Sequence, residues 1–118
     1  MAIKGIFYVL VLVSDLARSK KFYGETLGWT LGTDNETVAG FSVGSGYVVV
    51  HKVEQVPPGP SRMHVELQVD DAAAEHARLN GLGVKVSKLE DHPWGERNFS
   101  FEDPDGHTWF YGESMSQG

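Results

Sequence analysis

The chain has 118 residues, of which 41% are hydrophobic and 22% charged, a composition typical of one globular domain with a hydrophobic core. Its net charge of −6 argues against nucleic acid or an anionic membrane as a partner. The absence of cysteine excludes disulfides, a thiol nucleophile and a thiolate metal site.

The first half of the chain predicts one β-α-β-β-β unit. Residues 6–13 form an apolar run that is too short to span a bilayer and lacks a cleavage site, so we expect a buried strand in a cytoplasmic protein. Ser14 and Asp15 are natural N-cap residues for a helix, and Gly28 is a natural C-cap. The predicted elements are a strand at 6–13, a helix at 16–27 and strands at 29–32, 37–43 and 47–53.

The second half repeats this order after a proline-rich segment. Residues 56–61 read Val-Pro-Pro-Gly-Pro-Ser, in which the prolines remove backbone donors, so they predict a linker. The sequence Asp-Pro-Asp-Gly at 103–106 predicts the turn of a β-hairpin. The predicted elements are a strand at 63–69, a helix at 72–80, a strand at 84–89 and the two strands that flank the turn. The chain is then one domain, 1–118, with module one at about 3–55 and module two at about 62–115.

Matching residues in the two halves indicate an internal duplication. Residues 13–16 (Val-Ser-Asp-Leu) match residues 69–72 (Val-Asp-Asp-Ala), and Gly46 in the first hairpin matches Gly106 in the last. Two βαβββ modules predict an α+β fold. We expect their sheets to form an incompletely closed barrel with the helices outside, whose concave inner face is a usual place for a ligand.

Three stretches resemble the vicinal oxygen chelate superfamily: VLVSDLARSKKFYGETLGW at 11–29, HVELQVDD at 64–71 and FSFEDPDGHTWF at 99–110. This superfamily includes glyoxalase I, extradiol dioxygenases, fosfomycin-resistance transferases and bleomycin-binding resistance proteins. Its metal-dependent members carry ligands at positions that correspond here to Tyr8, Val50, His64 and Phe110. Only His64 is a good ligand for a divalent ion, and this departure from the superfamily's ligand pattern predicts a protein without a metal cofactor.

Strand alternation assigns side chains to the inner face. His64, Glu66 and Gln68 share one parity, and their polarity is compatible with a solvated strand face, with ligand contact or with metal binding through His64 and Glu66. In the first half the predicted inward residues are Tyr8, Leu10, Leu12, Val38, Gly40, Ser42, Val48 and Val50. In the last hairpin they include Asn98, Ser100 and Phe110.

Loop and histidine positions complete the candidate site. Trp94 lies in a loop where an aromatic ring can stack on a ligand. His51 is expected on the helix side or at a strand end, and His76 and His92 at the surface. Arg97 is expected to pair with a nearby acid. The predicted ligand-binding set is Tyr8, Leu10, Val50, His64, Glu66, Gln68, Trp94, Asn98, Ser100 and Phe110.

Three functions are compatible with the sequence. The first is a metal-free protein of the bleomycin-resistance type that sequesters a small organic ligand, for which the resemblance implies a homodimer. The second is a glyoxalase- or dioxygenase-like enzyme that uses either a divalent metal ion or acid–base work by His64 and Glu66. The third is an interaction module in which the cavity is vestigial.

Overall fold

The computed structural model describes residues 2–59 and 63–115, which divide into two compact units between Pro58 and Gly59. We call them the N-terminal unit and the C-terminal unit. Pro60 and Ser61 of the predicted linker, and Arg62 of the predicted second module, lie outside the described residues. No helix of the described ranges is long and apolar enough to cross a bilayer.

The N-terminal unit is a mixed four-stranded sheet with one helix. Its elements are β1 (Val9–Val13), α1 (Leu16–Lys21), β2 (Thr30–Asp34), β3 (Val38–Val43) and β4 (Gly46–Lys52). The strand order is β1-β4-β3-β2, with β1 and β4 parallel and the other pairs antiparallel. The predicted helix continues past α1 as a π-helical turn, Phe22–Thr26, and Gly28 follows it with a φ of 80°.

The C-terminal unit repeats this architecture. Its elements are β5 (Val65–Gln68), α2 (Ala72–Gly81), β6 (Glu90–His92), β7 (Glu96–Glu102) and β8 (Thr108–Ser114). The strand order β5-β8-β7-β6 matches that of the first sheet, again with one parallel pair at the edge. The α+β class and the duplicated βαβββ modules are therefore confirmed.

The two helices begin with the same capping interaction. Asp15 accepts a hydrogen bond from the backbone N–H of Arg18 at 3.0 Å, and Asp71 accepts one from Ala74 at 3.0 Å. Each carboxylate satisfies a backbone donor that the first helical turn cannot pair internally. The predicted equivalence of the two helix starts therefore extends to their hydrogen bonds.

The prediction of a strand at 84–89 was wrong, because the strand that pairs with β7 is β6 at Glu90–His92. Ser87 explains the difference. The backbone N–H of Ser100 donates to the Ser87 hydroxyl at 2.8 Å, in place of a backbone carbonyl. Only an isolated bridge between Val86 and Phe101 forms in this segment, since a side-chain acceptor interrupts the regular ladder.

The two hairpin turns differ in their glycine positions. Gly106 has a φ of 87°, and the Asp103 carboxylate accepts hydrogen bonds from the N–H groups of Asp105 and His107 at 3.0 and 2.8 Å. In the first hairpin the residue with positive φ is Gly44, at 56°, whereas Gly46 pairs with Val43. The predicted match of Gly46 with Gly106 is therefore wrong, because the glycine with positive φ in the first hairpin is Gly44.

Strand pairing corrects the face assignment of β4. Val50 pairs with Val11 and with Ala39, and all three are buried, so Val50 lies on the face that packs against α1. The prediction that Val48 and Val50 face away from the helix was wrong by one residue. Val49, which pairs with Leu10, takes that face.

His51 shares the corrected face with Leu12, so of its two predicted positions the helix side is wrong, and it lies next to the last residue of β4. The physical reason is that Val48, Val49 and Val50 form a continuous apolar run, in which alternation carries no information about faces. The correction therefore follows from strand register rather than from side-chain polarity.

Aromatic side chains form the core of each unit beneath its helix. In the N-terminal unit the Tyr23 ring lies 5.0 Å from that of Trp29 and 5.9 Å from that of Phe41, measured between centroids. In the C-terminal unit the Phe101 and Tyr111 rings are 4.8 Å apart. These buried clusters fix one face of each sheet and leave the other face free to differ in chemistry.

Candidate functional site

The candidate site lies on the face of the C-terminal sheet that turns away from the buried aromatic cluster. Glu66 pairs with Phe110, and Phe110 with Ser100, so these three residues share that face. Gln68 pairs with Gly112, which pairs with Asn98. His64, Glu66 and Gln68 are exposed and the residues between them are half-buried, so the predicted alternation of this strand is confirmed.

Two carboxylates converge above Gly112. A Cβ atom placed on this glycine would lie 2.5 Å from Oε2 of Glu66 and 2.6 Å from Oε2 of Glu96. Both oxygens therefore occupy the space that a side chain would fill at position 112. The missing side chain allows β5 and β7 to bring their glutamates together over β8.

An amide side chain links Glu66 to His92, the last residue of β6. The Asn98 Nδ2 group donates to Oε1 of Glu66 at 3.0 Å, and the Asn98 Oδ1 atom lies 2.7 Å from Nε2 of His92. A carboxylate only accepts hydrogen bonds, so it orients the amide with its nitrogen toward Glu66. The amide oxygen then faces His92, whose Nε2 must carry the proton.

Trp94 is held in a defined position although 67% of its surface is exposed. The His92 ring stacks on one face of the indole, with centroids 4.4 Å apart and planes at 10°. The indole N–H donates to Oε1 of Glu96 at 2.7 Å. The loop therefore presents a fixed indole, supported on one face, beside the Glu66–Glu96 pair.

An open cleft of about 430 Å³ lies between this loop and the sheet. Its lining residues are Glu66, Gln68, Trp94, Gly95, Glu96, Gly112, Glu113 and Ser114. This volume is in the range of small-molecule sites. The cleft includes three residues of the predicted ligand-binding set, namely Glu66, Gln68 and Trp94.

The other predicted residues of this unit lie outside the lining of the cleft. Asn98 contributes indirectly, through its hydrogen bond to Glu66. The His64 ring packs on Phe110, with centroids 5.2 Å apart, at the opposite end of β5 from Gln68. Ser100 donates its backbone N–H to Ser87.

The predicted residues of the N-terminal unit divide between its two sheet faces. Leu10 is half exposed on the face away from α1, and Tyr8 is exposed just before β1. Val50 is fully buried on the helix face, which contradicts its predicted inward position. Strand pairing makes Val49 the counterpart of Phe110, because Leu10 and Glu66 each lie five residues before a capping aspartate.

Arg97 forms the predicted ion pair. Its Nε and terminal nitrogen donate to the two oxygens of Asp91 at 2.6 and 3.1 Å. The hydrogen bond from Arg97 lowers the pKa of Asp91 below its usual value, and the same hydrogen bond raises the pKa of Arg97. Because this guanidinium is occupied by Asp91, it does not neutralise Glu66 or Glu96.

The side chains at the superfamily's metal-ligand positions do not fit a divalent ion. Val49 and Phe110 offer only hydrocarbon, Tyr8 offers a neutral phenol, and the His64 imidazole packs on Phe110. A zinc, iron, nickel or manganese ion requires three or more nitrogen or oxygen donors from the protein. Within residues 2–59 and 63–115, no group of three or more His, Cys, Asp or Glu residues is arranged to hold such an ion.

Sequence reasoning missed Glu96, Gly112 and the role of His92. The first two share the parity of Asn98 and Phe110, so the same alternation extended along β7 and β8 identifies them. His92 was expected at the surface, but it is half-buried because it supports Trp94. No sequence pattern indicates that stacking, since it depends on the path of the loop.

Comparisons with known proteins agree with this architecture. The sequence model of the Glyoxalase/Bleomycin resistance protein/Dioxygenase superfamily matches residues 5–111. The uncharacterized protein YaeR of Escherichia coli (strain K12) is 28% identical over 120 residues, covering 90% of this chain and 93% of YaeR.

Two further similar proteins have names that state a function. The metallothiol transferase FosB of Staphylococcus epidermidis is 27% identical over 111 residues, covering 89% of this chain and 80% of FosB. The crystal structure of TnmS3, an antibiotic binding protein from Streptomyces sp. CB03234, has a TM-score of 0.79 and 31% identity, covering 97% of this chain and 98% of TnmS3.

Proposed function

The chain belongs to the Glyoxalase/Bleomycin resistance protein/Dioxygenase superfamily. We propose that, within this superfamily, it is a protein that binds a small organic molecule without metal and without catalysis. The ligand occupies the cleft of the C-terminal unit and is sequestered there. One observation carries the proposal: an exposed indole is held rigidly at the wall of an open cleft. The similarity to TnmS3, which is named an antibiotic binding protein, supports it.

A fixed aromatic ring suits binding better than a mobile one. The His92 stack and the Glu96 hydrogen bond restrict Trp94 before a ligand arrives, so less conformational entropy is lost on binding. An aromatic contact of this kind contributes about 0.5–1.5 kcal/mol beyond the area it buries. Gln68 and Glu66 on the adjacent strand supply hydrogen-bonding groups for the polar end of the ligand.

A thermal-shift screen tests the proposal, since a ligand that binds only the folded state raises its apparent stability. The library consists of cationic, neutral and anionic aromatic compounds, and each is tested with a chelator and again with added zinc, nickel or manganese. We expect stabilising compounds whose effect is the same in both conditions and is lost in Trp94→Ala. Loss of all hits in chelator contradicts metal-independent binding.

Enzymatic activity is the second candidate, favoured by the identity to FosB, which is named a metallothiol transferase. It requires donors that Val49 and Phe110 do not offer, or acid–base work by His64 and Glu66. In the described part of the C-terminal unit, His64 packs on Phe110 and Glu66 accepts from Asn98, with no hydrogen bond between His64 and Glu66. Mass spectrometry of each hit after prolonged incubation with the protein distinguishes the two functions. Recovery of the unchanged compound supports sequestration, whereas a modified product supports enzymatic activity.

Dimerisation is also part of the proposal. Large apolar side chains are exposed in the segment before β1, with Ile3, Ile6 and Phe7 at 83%, 86% and 91%. A second copy of the chain is a partner that would cover such side chains. Light scattering after size exclusion checks this: we expect twice the monomer mass of 13.0 kDa, and the monomer mass contradicts it.

A further inference from the structure

We infer that the ligand is a small organic cation with a flat ring, whose ring stacks on Trp94 and whose positive nitrogen lies between Glu66 and Glu96. This inference names the ligand class for the proposed function and rests on it. It depends on three features of the cleft: an indole with one supported face, a carboxylate fixed at the edge of that indole, and a second carboxylate that converges on the first.

The stacking surface is defined by His92. This ring covers one face of the Trp94 indole at 4.4 Å, in nearly parallel planes. The indole is nevertheless 67% exposed, so the surface that His92 leaves uncovered remains available. A flat ring placed there completes a three-layer stack, and a positively charged ring is favoured because the indole face is electron-rich.

The position of the charge is defined by Glu96. Its Oε1 atom accepts the indole N–H at 2.7 Å, which fixes this carboxylate at the edge of the stacking surface. Its Oε2 atom and that of Glu66 both lie within 2.6 Å of one point above Gly112. A cationic nitrogen carried next to the stacked ring therefore meets two carboxylate oxygens at once.

Glu66 and Glu96 differ from three other acidic side chains of this unit, which have cationic partners. Glu75 pairs with Arg78, Asp91 with Arg97, and Glu102 with Lys85, at 2.8, 2.6 and 3.0 Å. Throughout the described residues, the hydrogen-bond donors to Glu66 and Glu96 are the neutral N–H groups of Asn98 and Trp94. Neutral donors orient the two carboxylates but leave their charge uncompensated, which favours a cationic ligand.

Three probes of similar size and different charge test the inference by fluorescence titration in chelator. They are 1-methylquinolinium, quinoline (neutral at neutral pH) and 1-naphthoate. We expect 1-methylquinolinium to bind at least about tenfold more tightly than quinoline, and 1-naphthoate not to bind. Trp29 and Trp109 are buried, so the change in emission is assigned to Trp94, and Trp94→Phe supplies the background signal.

Glutamine variants separate charge from structure. In Glu66→Gln/Glu96→Gln the amide oxygens still accept from Asn98 and Trp94, so the loop keeps its position. We expect the double variant to bind 1-methylquinolinium and quinoline equally. Glu36→Gln/Glu54→Gln, at two exposed sites in the N-terminal unit, makes the same charge change and should leave the tenfold preference intact.

Several results overturn the inference. Equal binding of 1-methylquinolinium and quinoline to the natural chain excludes charge selection, and the proposed function then stands without it. Displacement of the probe by stoichiometric calcium in a titration without chelator, with no loss of probe affinity in Trp94→Ala measured by calorimetry, shows a cation site without a stacked ring. Binding of none of the probes also contradicts the inference, and neutral or anionic hits in the wider screen would then leave sequestration standing.

Discussion

In the N-terminal unit, the sheet face that turns away from the helix carries Leu10, Leu12 and Val49, whereas the equivalent positions of the C-terminal unit carry Glu66, Gln68 and Phe110. The strand order and the parallel edge pair are the same in both units. The faces packed against the helices are alike as well, since both bury aromatic clusters. Duplication has therefore preserved the packed face, and the chemistry has diverged on the face that packing does not constrain.

One pair of equivalent positions shows what this divergence does. His51 in the N-terminal unit corresponds to Gly112 in the C-terminal unit, because each pairs with the residue three positions before a capping aspartate: Leu12 in one case and Gln68 in the other. The glycine leaves the space that the Glu66 and Glu96 carboxylates occupy. The absence of a side chain at position 112 thus leaves room for the two carboxylates to converge.

The largest expected effects test which residues belong to the packed face. Val50→Asp and Tyr111→Asp place an unpaired charge in a core and should each lower the free energy of unfolding by about 3–5 kcal/mol. Their neighbours in sequence, Val49→Asp and Phe110→Asp, lie on the opposite face and should cost about 1 kcal/mol or less. Urea denaturation measures all four variants. A larger cost for Val49→Asp than for Val50→Asp would restore the register predicted from sequence.

An intermediate effect tests the equivalence of the helix starts. Asp15→Ala and Asp71→Ala each remove an acceptor at 3.0 Å from a backbone N–H and should each cost about 1 kcal/mol. Asp70→Ala is the matched control, because its exposed side chain makes no capping bond, and it should change stability by less than about 0.5 kcal/mol. Chemical denaturation of the three variants compares them. If only one cap contributes, the two units are less alike than their hydrogen bonds indicate.

The smallest expected effect is the pH dependence of the Asp91–Arg97 pair, which has no capping or core role. Arg97 lowers the pKa of Asp91, so the pair contributes stability above the ordinary value of 3.8. That contribution is lost as the pH falls through the lowered value. We expect the natural chain to exceed Asp91→Asn in thermal midpoint at neutral pH and the two curves to converge in strong acid. Parallel curves through the acid range would contradict this assignment.

Sequence predicted the architecture because capping residues, glycines and turn chemistry are local signals that repeat in both halves. It also placed Glu66, Gln68 and Trp94 at the site, since β5 alternates clearly and Trp94 stands in a loop. It failed where local signals are absent. The apolar run at Val48–Val50 does not distinguish two faces, Ser87 replaces a ladder hydrogen bond, and the His92–Trp94 stack depends on a loop path.

The central claim is that the cleft of the C-terminal unit binds a ligand without metal, and the indole N–H signals of the three tryptophans test it directly. The chain is labelled with ¹⁵N, titrated with each stabilising compound from the thermal-shift screen in the presence of a chelator and observed by NMR, with Trp94 assigned from Trp94→Phe. We predict a saturable shift of the Trp94 signal, while those of the buried Trp29 and Trp109 stay in place. An unchanged Trp94 signal, or a shift that requires added metal, contradicts the claim.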